Sequence, residues 1–332
     1  MSDGVMLGVA GVGKWGANHV STAASLGVLG AICDADPALL GNLWARYPDA
    51  RVTTRFEEML TMPLDAVVIA TPAQTHAALA LKAIEAGKHV FVEKPLALTV
   101  EDAQSIAAAA RLRGVKVFVG HLVLYQLGVR AVLDRVRSGC IGEVRHIRAR
   151  RASYGRLRFV EDVWWSFAPH DVSSMLAIMG EEPLEASIVR HAYVTPGIAD
   201  FAYADFKFSG ERSAHVEVTW LDPGKGAALD VFGTERTLSL RDFGGKTTLR
   251  IVSCGTKYNG DGRAELWRGD ETMLEFDADE PLRTEHESFI AMILRSESVP
   301  SDADAGIKVV RALAMCAPKS TIVHELYERM PA

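Results

Sequence analysis

The sequence predicts an α/β protein. A doubly wound parallel sheet comes first, and a second α/β domain with a large, open, mostly antiparallel sheet follows. Three observations predict this. Short apolar runs alternate with helix-period stretches over the first 120 residues. A glycine-rich turn follows the first of these runs. After Gly120 the texture changes to successive strand runs separated by turn residues. The 332 residues exceed the roughly 100–200 that one domain usually holds, so two are expected, 1–120 and 121–332.

In the first part the strand runs are "VMLGVAG", "LGAICD", "AVVIAT", "HVFVEKP" and "VKVFVG", with helices between them at 74–86 and 99–113. In the second part, 126–138 reads as a helix and "EVRHIRARRASYG" as a strand. Another helix begins near His170. From 184 to about 252 the runs "FAYADFKF", "SAHVEVTWL", "AALDVFG" and "RTLSLRDFGG" read as a meander. The stretch 254–263 reads as a loop. Helices over 281–295 and 302–326 end the pattern, the last packing back on the first domain.

Composition excludes several classes. With 48% hydrophobic and 23% charged residues the chain is globular, and a net charge of −6 gives no general attraction to nucleic acid. No apolar run reaches the ~18 residues of a membrane span, and the N-terminus lacks the pattern of a signal peptide. The four cysteines form no CxxC pair. They read as reduced thiols of a cytoplasmic protein, with no metal-binding spacing.

Residues 8–16, "GVAGVGKWG", carry the first chemistry. Gly11, Gly13 and Gly16 fit G-x-G-x-x-G between a strand and a helix. Gly11 serves the tight turn, Gly13 the close approach of a pyrophosphate, and Gly16 the packing of helix on strand. The backbone of Val12, Gly13, Lys14 and Trp15 then faces the cofactor at a helix N-terminus. Asp34, 23 residues after Gly11, stands where a dinucleotide fold binds the ribose hydroxyls. Residues 35–37 are Ala, Asp and Pro, with no cation for a 2′-phosphate. NAD(H) is therefore favoured, with NADP(H) the alternative. Thr71 and Pro72 form the lip under the cofactor. His76 is either a surface helix position or a nicotinamide-side residue.

"VFVEKPLALT", 91–100, places Lys94 at the carboxyl end of a strand, the edge that faces ligand in such sheets. An amine there binds a substrate hydroxyl. To act as a base its pKa must fall toward neutrality. Glu93 is expected to orient it, and a cis bond before Pro95 to fix its direction. The plain alternative is a surface salt bridge. "RHIRARRASYGRLR", 145–158, holds six arginines. Period-two alternation puts Arg148 and Arg150 on one strand face and Arg151 on the other. The stretch is either an anion clamp, with Arg151, Tyr154 and Arg156 as ligands, or a solvated strand paired with acids.

Together "GVGKWG", "ATPAQTH", "AGKHVFVEKPLALT", "VGH" and "GCIGEVRHI" resemble the Gfo/Idh/MocA oxidoreductases, over nearly the whole chain. The resemblance implies a Rossmann domain, then a sheet whose face holds substrate and mediates a homodimer or homotetramer. It also implies that Lys94 is catalytic. "EDVWWSFAPHDVSSML", 161–176, looks like a subgroup near the nucleotide-sugar 3-dehydrogenases, in which His170 matches the catalytic histidine. Its place after Pro169 suggests a helix start, where the dipole would keep it neutral. Trp165 is expected beside the cofactor and Tyr125 beside the substrate. The chain departs from its relatives at Ser166 and Ser173, where aspartates are common, and at Tyr125-Gln126-Leu127 in place of Tyr-His-Pro. The implied activity is NAD-dependent hydride transfer to or from a secondary alcohol or ketone of a sugar, nucleotide sugar or cyclitol. The alternatives are a non-catalytic NAD-binding regulator and a reductase of a non-sugar unsaturated substrate.

Overall fold

The computed structural model describes residues 4–41, 43–154, 161–243 and 245–316. The first half alternates strand and helix: β1 (Leu7–Ala10), α1 (Gly16–Ser25), β2 (Leu29–Cys33), α2 (Pro37–Leu40), α3 (Leu43–Arg46), β3 (Arg51–Thr53), α4 (Phe56–Leu60), β4 (Ala66–Ile69), α5 (His76–Glu85), β5 (His89–Glu93), α6 (Val100–Arg113) and β6 (Val117–Gly120). β1, β4 and β6 are buried at every residue, as strands covered by helices on both faces must be. The parallel sheet runs β3-β2-β1-β4-β5-β6. Its order reverses between β1 and β4, which opens a crevice at their carboxyl ends. Local signals set the boundaries. Thr99 caps α6 through the Asp102 amide, and Gly114, at φ 67°, ends it.

The second half contains α7 (Leu127–Arg137), β7 (Val144–Tyr154), α8 (Val163–Met179), β8 (Glu185–His191), β9 (Phe201–Lys207), β10 (Ser213–Thr219), β11 (Leu221–Gly233), β12 (Arg236–Phe243), β13 (Lys246–Tyr258), β14 (Ala264–Phe276), α9 (Pro281–Arg295) and α10 (Ala303–Met315). The eight strands run β14-β13-β12-β11-β7-β10-β9-β8, and only the β7–β10 pair is parallel. Alternation is clean where α8 covers the sheet. Ala202, Ala204 and Phe206 of β9 and Ala214, Val216 and Val218 of β10 are buried, while the residues between them are more exposed. Large side chains such as Trp164, Phe206 and Phe289 are fully buried, each contributing about 1.5–3 kcal/mol by removal from water.

α10 packs on α6 and β6 as well as on α8, so the chain's last described helix returns to the first sheet. Among the described residues no helix is long and apolar enough to cross a membrane.

Three expectations are corrected. Residues 254–258 are not loop: they continue β13, and 264–268 pair with them in β14, a strand the sequence pattern did not reveal. The turn is short, closed by Asn259 N–H to the Arg263 carbonyl at 2.9 Å. The helix near His170 begins seven residues earlier, because Asp162 caps it through the Trp165 amide. Pro169 lies inside that helix, not at its first turn. The last helix runs Ala303–Met315, with Asp302 as its N-cap and Cys316 as its C-cap, and residues 317–326 of the expected 302–326 span lie outside the described residues.

Candidate active site

The glycine loop has the geometry its spacing predicts. Gly11 sits at φ 85°, and a Cβ there would lie 2.7 Å from the Thr71 amide nitrogen. A Cβ on Gly16 would overlap the Gly11 carbonyl oxygen. Above Gly13 there is open space, and Gly13, Lys14 and Trp15 are exposed, so their backbone is accessible at the start of α1. Asp34 is fixed against this loop. One carboxylate oxygen accepts from the Val12 N–H at 2.7 Å, the other from the Asp36 N–H at 2.9 Å. The pattern fits a pyrophosphate on the loop and a ribose at Asp34.

Thr71 and Pro72 stand at the lip, with the Thr71 hydroxyl 2.7 Å from that of Thr75. His76 is not at the surface. It is buried between Nδ1···Pro95 O at 2.8 Å and Nε2···Thr71 O at 2.9 Å, tying the β4 end to the turn after β5. Burial lowers its pKa, and its two contacts brace the Thr71 lip against the turn at Pro95.

Lys94 directly follows β5, and the peptide bond to Pro95 is cis. Its Nζ donates to the Ser166 carbonyl at 2.8 Å. Ser166 and His170 lie one turn apart on α8, so they share a face and bring the imidazole to the amine. His170 is half-buried, and its Nδ1 has no hydrogen-bond partner among the described residues. Its pKa falls well below the usual value. Burial is the main cause, and the charges of Lys94 and Arg151, with His121, add to it. The helix-start dipole expected from the sequence is not the cause.

His121 follows β6 as Lys94 follows β5, since Gly120 pairs with Glu93. Its ring is buried, neither nitrogen has a partner among the described residues, and burial lowers its pKa to about 4.

Glu93 does not turn toward the Lys94 amine. Its carboxylate accepts from the Trp15 indole at 2.7 Å, the His19 ring at 2.9 Å and the Lys94 backbone N–H at 3.1 Å. Trp165 is half-buried in the first turn of α8, one residue before the carbonyl that holds Lys94. Tyr125 is not brought to the site. Its ring packs 5.8 Å from Phe118, and its buried hydroxyl is turned toward Ser301 and Ser288.

The arginines are paired with acids. Arg148 donates to Asp230 at 2.8 Å, and Arg150 to Glu217 at 2.9 Å and to Asp222. Arg151, on the opposite face as alternation predicts, forms a two-pronged pair with Asp171 at 2.8 and 3.1 Å. A cavity of about 210 Å³ lies beside this pair, lined also by Gln126, Ser174, Asp242 and Thr247. Tyr154 is exposed at the end of β7. Arg156 and Arg158 lie outside the described residues.

The buried histidines predict acid sensitivity. His121 and His286 titrate at about 4 and about 3 in the folded chain, against ~6.5 when unfolded. Below pH ~6.5 the unfolded chain binds protons that the folded chain refuses, so stability falls as pH falls. Each ring withdraws about 3 kcal/mol by pH ~4. A melting temperature that stayed constant from about pH 7 to pH 4.5 would contradict this.

Residues 5–121 match the profile described as the oxidoreductase family with an NAD-binding Rossmann fold, and residues 129–239 match the GFO/IDH/MocA C-terminal domain. The chain belongs to the Gfo/Idh/MocA family. It is thus an NAD-binding oxidoreductase by family, with relatives that act on sugars.

One relative is a UDP-N-acetylglucosamine 3-dehydrogenase of Acidithiobacillus ferrooxidans, 28% identical over 92% of this chain and 94% of its own. A solved structure of that enzyme, 26% identical, superposes with a TM-score of 0.79 over 94% of this chain and 96% of its own. A 1,5-anhydro-D-fructose reductase of Ensifer adhaerens is 28% identical over 76% and 82% of the two chains. A scyllo-inositol dehydrogenase of Lactobacillus casei, solved with NAD(H) and scyllo-inositol, shares the fold. It is 19% identical, with a TM-score of 0.76 over 95% of this chain and 96% of its own.

In this Gfo/Idh/MocA chain the site also holds His19, His121 and His286, which sequence reasoning did not single out. His19 was visible as a buried position, on the stripe of α1 with Gly16, Val20 and Ala23. Its partner 267 residues away was not.

Proposed function

We propose that the protein is an NAD(H)-dependent dehydrogenase or ketoreductase of a secondary alcohol or ketone on a sugar, cyclitol or nucleotide sugar. The observation that carries this reading is the pairing of Lys94 with the His170 face of α8, at the carboxyl edge of the sheet that bears the glycine loop. Bound nicotinamide supplies the hydride acceptor or donor.

The chain's own groups divide the proton work. His170, kept neutral, is the acceptor for a substrate hydroxyl proton in oxidation. Lys94, matched by the Ser166 carbonyl and preceded by the Glu93 carboxylate, donates a hydrogen bond to the same oxygen and supports its developing charge. Reduction runs the same step backwards: the proton returns from the His170 ring to the substrate oxygen while Lys94 keeps its hydrogen bond to that oxygen. Gly13, Lys14 and Trp15 present the backbone for the pyrophosphate, and Trp165 flanks the cofactor from α8. The cavity beside Arg151 and Asp171 is where we place the non-reacting part of the substrate. Family likeness supports two or four copies meeting through the sheet face that α8 leaves uncovered.

Cofactor consumption against free sugars, cyclitols and nucleotide sugars, with NAD(H) and NADP(H) side by side, tests the reading. NADH binding without turnover of any polyol or its ketone would favour a regulatory binder instead. Asp34 supports the preference for NAD(H), since no cation stands at 35–37. Asp34→Ala is expected to reduce the ratio of kcat/KM for NAD over NADP by about 10–100-fold, the loss of hydrogen bonds from a charged acceptor. An unchanged ratio would remove Asp34 from the ribose site.

A further inference from the structure

We infer that His19 and His286 are positioning residues: they hold the Glu93 carboxylate on the Trp15 side of β5, which fixes the glycine loop and keeps that carboxylate off the Lys94 amine. The inference rests on the cofactor and lysine roles proposed above.

Glu93 is a buried carboxylate at the end of β5. Burial alone would raise its pKa. The His19 hydrogen bond and charge, the Lys94 charge and the Trp15 indole outweigh burial and bring it below the ordinary range. The neighbouring strand makes room for it. Gly120 is its register partner, and a Cβ there would stand 2.9 Å from Glu93 Oε1. Nearby Glu285 is different: burial, aided by the Glu93 charge, raises its pKa well above the usual value and favours its neutral form. Glu93 thus carries the buried negative charge, and its donors decide where that charge points.

His19 supplies the central donor. An ionised carboxylate only accepts, so His19 Nε2 carries a proton toward Glu93 at 2.9 Å. The other nitrogen, Nδ1, lies 2.9 Å from His286 Nε2. Burial holds His286 neutral, with a pKa of about 3. A neutral His19 accepts from His286, and a charged one donates to it. In both cases the ring keeps the orientation that serves Glu93. Packing agrees: the His19 ring stands edge-on to Trp15 at 6.2 Å and to Phe91 at 5.2 Å.

His286 reaches in from α9, which lies against α1. A helix far along the chain therefore helps to set the loop that holds the pyrophosphate. Neither histidine has to touch substrate. Without the His19 donor, the nearest cation to Glu93 is Lys94, the next residue. The carboxylate would swing to that amine, releasing Trp15 and drawing Lys94 away from the Ser166 carbonyl.

The test pairs an amide with an apolar ring at each position. His19→Gln keeps a donor near the Nε2 site, and His19→Phe keeps the volume and the Phe91 contact without a donor. NADH titration, steady-state kcat and KM, and melting temperature are measured on the full chain. His19→Phe is expected to raise the NADH Kd and lower kcat, each by about 10–100-fold, as the loss of a charge-assisted hydrogen bond implies. His19→Gln should stay within about threefold of wild type in both. Adding Glu93→Gln to His19→Phe should recover kcat, because a neutral amide does not capture Lys94.

Wild-type Kd and kcat in His19→Phe overturn the inference, and so does a Gln variant that loses as much as the Phe variant. If His19→Phe does not fold, His286→Phe against His286→Gln decides by the same two readouts. A wild-type protein that binds no NADH overturns the cofactor reading and this inference with it. Equal binding and turnover in every variant overturns this inference alone.

Discussion

Lys94→Ala is expected to lower kcat by about 10³-fold or more while NADH binding stays within about threefold of wild type. The separation follows from where the groups sit. The glycine loop and Asp34 stand at the ends of β1 and β2, and Lys94 follows β5 at the far side of the crevice. Truncating the lysine removes a donor to the reacting oxygen, which alone is worth about 10²–10³ in rate. The cofactor's phosphates lose nothing. Steady-state turnover and NADH titration on the same preparation check both halves. A variant that kept most of its turnover would end the lysine's assignment. One that lost NADH binding in proportion would make the lysine a cofactor anchor.

His170→Asn is expected to reduce kcat/KM for oxidation by about 10²–10⁴-fold and to change the shape of its pH profile. The sign follows from the ring's lowered pKa. A proton acceptor must be neutral. Since burial holds the pKa well below its usual value, the neutral form is present at pH ~7 and persists through pH ~6. The acid limb of the wild-type profile therefore belongs below that range, where the ring at last protonates. Asparagine keeps a polar side chain but does not titrate, so the residual activity should lack that limb. If the limb survives the substitution unchanged, another group is the acceptor, and His121, buried beside Lys94 with a pKa of about 4, is the first to test.

What the sequence revealed was local in the chain. The glycine turn, the strand ending at Glu93-Lys94 and the Asp34 position each follow from a few adjacent residues and a strand–turn–helix context. What it hid depended on partners far away. Arg148 and Arg150 read equally as an anion clamp or a paired strand, because Asp230 and Glu217 lie 82 and 67 residues on. Tyr125 looked available, but Phe118 and the segment around Ser301 enclose it.

The start of α8 was misjudged for a different reason. Proline favours a first turn, which makes Pro169 look like a helix start. Yet Asp162 followed by Val163, Trp164 and Trp165 was the better cap signal, with an acid just before an apolar run. Once the helix begins there, His170 moves from a helix end to a half-buried position in the helix interior. The source of its neutrality changes from dipole to burial.

The Lys94 amine is moored to the main chain of α8, at the carbonyl of Ser166, not to that residue's side chain. Every amino acid brings the same carbonyl, so this mooring survives any replacement at 166 that leaves the helix intact. The group that projects from this turn can thus change while the amine keeps its anchor, because a backbone atom and a side-chain atom answer to different constraints.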